Sequence, residues 1–286
     1  MRYIAIMDAL ISTSALDEQR NDPFLIIFDA SFYLPTETQS AADLFLATHI
    51  PGAVFLDIDM ISDRISTLPH MVPPAAEFAT MVEALGVSDQ SRIVIYDQRG
   101  LFSAARAWWL FTLFGHDAVQ VLNGGLPKWC AEGRATASGA ANPRPAGQFT
   151  PHLRAELIRD RTAIELNLRT QTEIVLDARA AGRFSGAVAE PRPGMRGGHI
   201  PGAVSLPFTE LLCTDGTMLS EDALRHLFAA RGISSESRPI TMCGSGVTGA
   251  VLSLGLVCAG LPIGSLYDGS WAEWGGAPDT LIERTA

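Results

Sequence analysis

The chain has 286 residues, 47% of them apolar, and carries a net charge of −10. That length supplies material for one large or two ordinary cores, and the acidic balance argues against nucleic acid as a partner, because phosphate binding needs a basic face. No uninterrupted apolar run reaches bilayer length, so no membrane association is expected.

The four cysteines, at 130, 213, 243 and 258, are scattered and form no CxxC pair. A disulfide framework or metal site is therefore not expected, and neither is a cofactor. Residues 1–8 contain too short an apolar run for a signal peptide, so a cytoplasmic location is expected.

In chain order, residues 14–20 predict a short exposed helix capped by Ser14. The apolar run 24–28 reads as a buried strand ending in Asp29-Ala30-Ser31. His49-Ile-Pro-Gly-Ala-Val54 predicts a turn leading into a strand. A helix over 75–85 precedes a strand over 92–96, the loop Asp97-Gln-Arg-Gly100 and an apolar helix over 103–114. A further strand over 119–122 ends in Asn123-Gly-Gly125, and the last helix of this half follows. The composition then turns small, polar and rich in Pro and Gly, which predicts a linker over 136–151 between a domain at 1–135 and a domain at 152–286.

The second half repeats the first. His199-Ile-Pro-Gly-Ala-Val204 matches His49 to Val54, and Asp177-Ala178 matches Asp29-Ala30. The run ending at Met242 matches the one ending at Tyr96, and Tyr267-Asp-Gly-Ser-Trp271 answers Leu122-Asn-Gly-Gly125. Four marks in the same order, displaced by roughly 147 positions, indicate two homologous domains rather than a solenoid. Strands alternate with helices in both, so the fold class is α/β, each domain a mainly parallel sheet flanked by helices. Functional groups in such sheets lie at the carboxyl ends of strands.

Cys243 falls at such an end. The loop Cys243-Gly244-Ser245-Gly246-Val247-Thr248 joins a short apolar run to the helical stretch 249–258. Gly244 and Gly246 permit a tight curl that can turn several N–H groups toward one anion, and the helix N-terminus adds partial positive charge. Both favour a thiolate, so a reactive Cys243 is expected. The matching position in the first half is Asp97, which cannot act as a sulfur nucleophile; the first domain is expected to be catalytically inactive.

Two halves each carrying His-Ile-Pro-Gly-Ala, with a cysteine loop only in the second, resemble the tandem-domain rhodanese-type sulfurtransferases. Phe102 to Trp109, Asn123 to Trp129 and Tyr267 to Trp274 also resemble segments of that family. The loop Cys-Gly-Ser-Gly-Val-Thr is similar to that of the 3-mercaptopyruvate branch, whereas the thiosulfate branch typically carries Cys-Arg-Lys-Gly-Val-Thr. The resemblance implies transfer of sulfur from 3-mercaptopyruvate through a Cys243 persulfide to cyanide or a thiol such as that of thioredoxin, with release of pyruvate. It places substrate binding on Arg183, Arg192 and the loop residues Gly244, Gly246, Val247 and Thr248. It also implies a Ser–His–Asp relay made of Ser245, His70 and Asp59. This chain reads Ala-Val-Ala-Glu-Pro-Arg where the family usually has Glu-Pro-Glu-Pro-Arg, so the loop before Arg192 is expected to differ locally.

Physical reading agrees with the branch. Arg and Lys beside the cysteine would suit a compact dianion such as thiosulfate, and here those positions are the neutral Gly244 and Ser245. Thiosulfate transfer stands as the alternative donor chemistry, and a persulfide carrier without turnover as the non-enzymatic reading. A cysteine phosphatase is disfavoured, because its Cys-x5-Arg loop needs an arginine where this chain has Gly249.

Overall fold

The computed structural model describes residues 9–34 and 36–285; the stretch 1–8, read above for a signal peptide, lies outside them. The chain divides into two compact units. Unit 1 comprises Met1–Arg64, Pro73–Arg154 and Cys213–Met218; unit 2 comprises Ile65–Val72, Ala155–Leu212 and Leu219–Ala286. Two short segments thus belong to the unit opposite to the one their place in the sequence predicts.

Unit 1 contains β1 (Leu10–Ile11), α1 (Thr13–Gln19), β2 (Leu25–Asp29), α2 (Ala41–Ala47), β3 (Val54–Phe55), α3 (Ala75–Ala84), β4 (Arg92–Tyr96), α4 (Ala104–Leu113), β5 (Val119–Leu122) and α5 (Gly125–Ala131). Its five strands pair in the order β1-β5-β4-β2-β3, every pair parallel. All five residues of β2 are buried, as expected of a strand covered on both faces. Helix α4 is buried along its whole length, with Trp108 and Trp109 inside. Burying so much aromatic surface makes it the main support of this sheet.

Unit 2 contains β6 (Ile158–Arg159), α6 (Arg161–Thr170), β7 (Val175–Asp177), α7 (Ala181–Ser185), β8 (Val204–Ser205), α8 (Glu221–Ala229), β9 (Ile240–Met242), α9 (Gly249–Cys258), β10 (Ser265–Tyr267) and α10 (Ser270–Trp274). Its sheet repeats the first, in the order β6-β10-β9-β7-β8 and again parallel throughout. The repeated histidines do the same work in both units. His49 Nδ1 is 2.8 Å from the carbonyl of Phe45 and stacks on its ring; His199 Nδ1 is 2.9 Å from that of Phe184, and its ring stacks in the same way.

Two expectations need correction. The cap of α1 is Ser12, whose Oγ accepts the N–H of Ala15, and the helix buries Thr13 and Leu16 instead of standing exposed. The stretch 136–151 is no free linker. Ala137 bridges to His49, the Gly147 N–H donates to the Glu83 carbonyl at 2.8 Å, and Phe149 is buried edge-on to Phe78 and Phe111. Backbone pairing and one buried aromatic residue together fasten this Pro-rich segment to unit 1.

Candidate active site

Strand β9 runs between β7 and β10, so its carboxyl end opens at the middle of the second sheet. Cys243 follows directly, with only 2% of its surface exposed. The loop behind it is pinned to α10: the Trp271 N–H donates to the Cys243 carbonyl at 3.0 Å and the Ala272 N–H to the Gly244 carbonyl at 2.8 Å. Ser270 completes the clamp; its Oγ accepts the Cys243 N–H at 3.3 Å and donates to the Tyr267 carbonyl at 2.8 Å. Ser270 adopts φ +50°, a left-handed geometry costly for any residue but glycine. Gly246 takes φ +77°, which needs a residue without Cβ. Val247 is buried as a packing residue, so it offers a ligand only its main chain.

The first unit shows what such a loop does with an anion. Asp97 occupies the position of Cys243, at the end of β4. Its Oδ2 accepts the N–H groups of Phe102, Ser103 and Ala104 at 2.7, 2.9 and 2.9 Å, and its Oδ1 that of Arg99 at 2.9 Å. Four amides converge on one fully buried carboxylate. The surrounding contacts correspond: the Leu126 N–H donates to the Asp97 carbonyl at 3.0 Å as that of Trp271 does to Cys243, and left-handed Gly125 matches left-handed Ser270. By this register the positions of Phe102, Ser103 and Ala104 are held in unit 2 by Thr248, Gly249 and Ala250, the entry to α9.

Ser245 lies two residues beyond the cysteine and is buried. Its Oγ is 2.9 Å from Nδ1 of His70, also buried, which reaches it from the segment Ile65–Val72. His70 is held at φ +60°, a strained geometry that persists only when its surroundings over-determine it. One tether is visible: the Val72 N–H donates to Oδ2 of Asp268 at 2.7 Å. Asp268 follows β10, is buried, and directly precedes the Gly269-Ser270 corner that holds Cys243. Its place at a strand's carboxyl end marks it in the sequence, with Cys243 and Asp177, although the family resemblance assigns it no role. Asp59 belongs to unit 1, where it is exposed in the turn after β3 and its N–H donates to Oδ1 of Asp57 at 2.9 Å. His70 and Ser245 are therefore brought together within one unit, and Asp59 lies outside it.

Both arginines reach the loop. A Cβ on Gly244 would lie 3.0 Å from Nη2 of Arg183 and 4.0 Å from Nη1 of Arg192, so glycine leaves room for two guanidinium groups beside the cysteine. Arg183, with 23% of its side chain exposed, donates through Nε and Nη2 to Glu190, which is buried. Glu190 also accepts from Arg179 Nη1 at 2.8 Å, and Arg179 pairs with Asp177 at 2.6 Å while lying over the Trp271 ring. Burial works against the Arg179 charge, but Asp177 and Glu190 outweigh it and hold its pKa above the ordinary value. Among the described residues no cluster of three or more His, Cys, Asp or Glu groups could hold a metal ion.

The rhodanese-like domain matches this chain twice, over residues 12–132 and 161–277, one match for each sheet. The chain belongs to the rhodanese family. This rhodanese is 42% identical over 269 residues to the 3-mercaptopyruvate sulfurtransferase of Escherichia coli strain K12, covering 94% of this chain and 95% of that protein. Its identity to the human 3-mercaptopyruvate sulfurtransferase is also 42%, over 94% of this chain and 91% of the other. The bovine thiosulfate sulfurtransferase is 38% identical over 99% and 98% of the two chains. Among solved structures, SseA from Escherichia coli, described as a 3-mercaptopyruvate sulfotransferase with the rhodanese fold, superposes with a TM-score of 0.83 at 39% identity, covering 92% of this rhodanese and 98% of SseA. Each sheet thus lies in a rhodanese-like domain, with Asp97 in the loop of the first and Cys243 in that of the second.

Proposed function

We propose that this rhodanese is a 3-mercaptopyruvate sulfurtransferase acting through a persulfide on Cys243. Overall identity separates the two donor chemistries poorly, since relatives of both names match over nearly the whole chain. The observation that carries the reading is local. Beside Cys243 the loop offers no cation of its own, only Gly244 and a Ser245 hydroxyl bonded to His70. A compact dianion gains little from such a loop, whereas a 2-oxo acid needs a carboxylate clamp at a distance and a proton route near the sulfur.

In the first half-reaction the Cys243 thiolate attacks the sulfur of 3-mercaptopyruvate. The S–S bond forms as the C–S bond breaks, and its electron pair leaves on carbon as pyruvate enolate. The proton of the substrate thiol passes by Ser245 and His70 to that carbon, giving pyruvate. The resulting Cys243 persulfide anion is cradled by the amides of Thr248, Gly249 and Ala250, as the first unit cradles the Asp97 carboxylate. Arg183 and Arg192 hold the substrate carboxylate and carbonyl; Asp59, which the family resemblance adds to the relay, is an exposed residue of unit 1. In the second half-reaction a thiolate acceptor, from a small thiol or a protein such as thioredoxin, or cyanide, attacks the outer sulfur and Cys243 leaves as thiolate. The reaction takes place in the cytoplasm; among the described residues no helix is long and apolar enough to cross a membrane.

Steady-state pyruvate release with 3-mercaptopyruvate, set beside thiocyanate formation from thiosulfate and cyanide, tests the assignment. A higher kcat/KM with 3-mercaptopyruvate is expected, abolished in Cys243→Ser. A preference for thiosulfate would overturn the choice of donor, and turnover surviving in C243S would overturn the nucleophile.

A further inference from the structure

Arg183 approaches the cysteine loop already committed along one edge. A guanidinium presents two bidentate edges: Nε with one terminal nitrogen, and the two terminal nitrogens together. Glu190 takes the first, accepting from Nε at 3.2 Å and Nη2 at 2.5 Å. The end-on edge is left to face a ligand, and Nη2 lies within contact range of the space above Gly244.

Glu190 is itself the link in a chain of alternating charge. Asp177 pairs with Arg179, Arg179 with Glu190 and Glu190 with Arg183, at 2.6, 2.8 and 2.5 Å. Asp177, Arg179 and Glu190 are almost fully buried, so this order is fixed by the fold and not by solvent. The four groups sum to no net charge: Arg183 gives the loop a directional fork whose positive charge is offset one contact away.

We infer that Glu190 is a specificity-determining residue, which aims Arg183 end-on and holds the pocket's charge low enough to favour singly charged sulfur donors over doubly charged ones. The inference rests on the sulfur-transfer reading above and deepens it. Its physics is linear in ligand charge. Removing one negative charge beside the loop improves binding of a dianion by about twice what a monoanion gains, and the difference is one charge–charge interaction. At several ångströms in a partly buried site that interaction is worth on the order of tenfold in relative affinity. Loss of the clamp alone, without loss of charge, would weaken both donors together.

The experiment compares Glu190→Gln and Glu190→Asp with the unmodified protein, measuring kcat/KM for thiosulfate and for 3-mercaptopyruvate at one ionic strength. Gln preserves the shape and one acceptor oxygen, and Arg179 keeps Asp177 and the Gly198 carbonyl, so E190Q is expected to fold. In E190Q the ratio of thiosulfate to 3-mercaptopyruvate kcat/KM should rise on the order of tenfold, the shift shrinking as salt is added. In E190D, which keeps the charge but shortens the reach, KM for both donors should rise in parallel and the ratio should hold. An unchanged ratio in E190Q, or an equal shift in E190D, overturns the assignment while leaving the sulfurtransferase reading intact. If E190Q fails to fold, a shift of the ratio toward thiosulfate in E190D overturns it alone. Turnover of neither donor by the unmodified protein overturns both readings.

Discussion

His70 Nδ1 and Ser245 Oγ lie 2.9 Å apart although 175 positions separate them in the chain. Both are buried, and the histidine is held in a left-handed backbone geometry to make the contact. In the proposed mechanism this pair, with Ser245 two residues from the cysteine, moves a proton between substrate sulfur and departing carbon. His70→Asn and Ser245→Ala should each lower kcat with 3-mercaptopyruvate by about a hundredfold, the lower range of general acid–base contributions. Because the two act as one unit, the double variant should be little worse than either single. Rates of pyruvate release measure all three.

Asp268 tethers the segment that carries His70, accepting the Val72 N–H. Asp268→Ala leaves that donor unanswered and should reduce kcat, in part through the same step, so its effect should not add to that of H70N. Stability should fall by about 2 kcal/mol, as for a lost hydrogen bond to a charged group. Asp268→Asn keeps an acceptor oxygen and should recover most of the activity. A urea titration alongside the kinetics separates the two effects.

The loop after β4 in unit 1 is built around the Asp97 carboxylate. Asp97→Asn keeps the shape but replaces a charged acceptor of four amides with a neutral one. The expected loss is about 2 kcal/mol, read as a lower urea midpoint with an unchanged slope.

The buried His116 gives unit 1 an acid sensitivity. Burial among Phe111 and Phe149 pushes its pKa below the ordinary value of 6.5; a backbone hydrogen bond with Ser91 and the charges of Asp117 and Asp89 offset this only in part. The unfolded chain then binds the proton more readily than the folded one. Stability present above pH 6.5 should decline as pH falls from there through the lower folded pKa. His116→Phe, which keeps the ring contacts, should flatten that decline in urea midpoints measured between pH 7.5 and 5.5.

Much of this was legible in the residues. The continuous apolar runs of β4 and α9 fall where their patterns end, because a fully buried element has sharp polar boundaries. The cysteine loop announced itself by its place between them and by its two glycines. Other features were hidden for physical reasons. Strands of two residues, such as β1 and β6, are too short to show a period and exist only through pairing to β5 and β10. Phe149 is one anchor inside a Pro-rich stretch, so composition outweighed it. The docking of Ile65–Val72 in unit 2 rests on contacts such as Val72 with Asp268, made by a backbone N–H that every residue possesses. Glu190 was visible as part of a motif, but its sharing between two arginines is a fact of three dimensions.

The central claim is that Cys243 accepts a sulfur atom inside a ring of peptide amides. Its most direct test is the intact mass of the protein after exposure to 3-mercaptopyruvate with no acceptor present, followed by peptide mapping. The account predicts a gain of one sulfur per chain, located on Cys243, matched by one equivalent of pyruvate and erased by added thiol. No gain, or a gain that persists in C243S and maps to Cys130, Cys213 or Cys258, would contradict it.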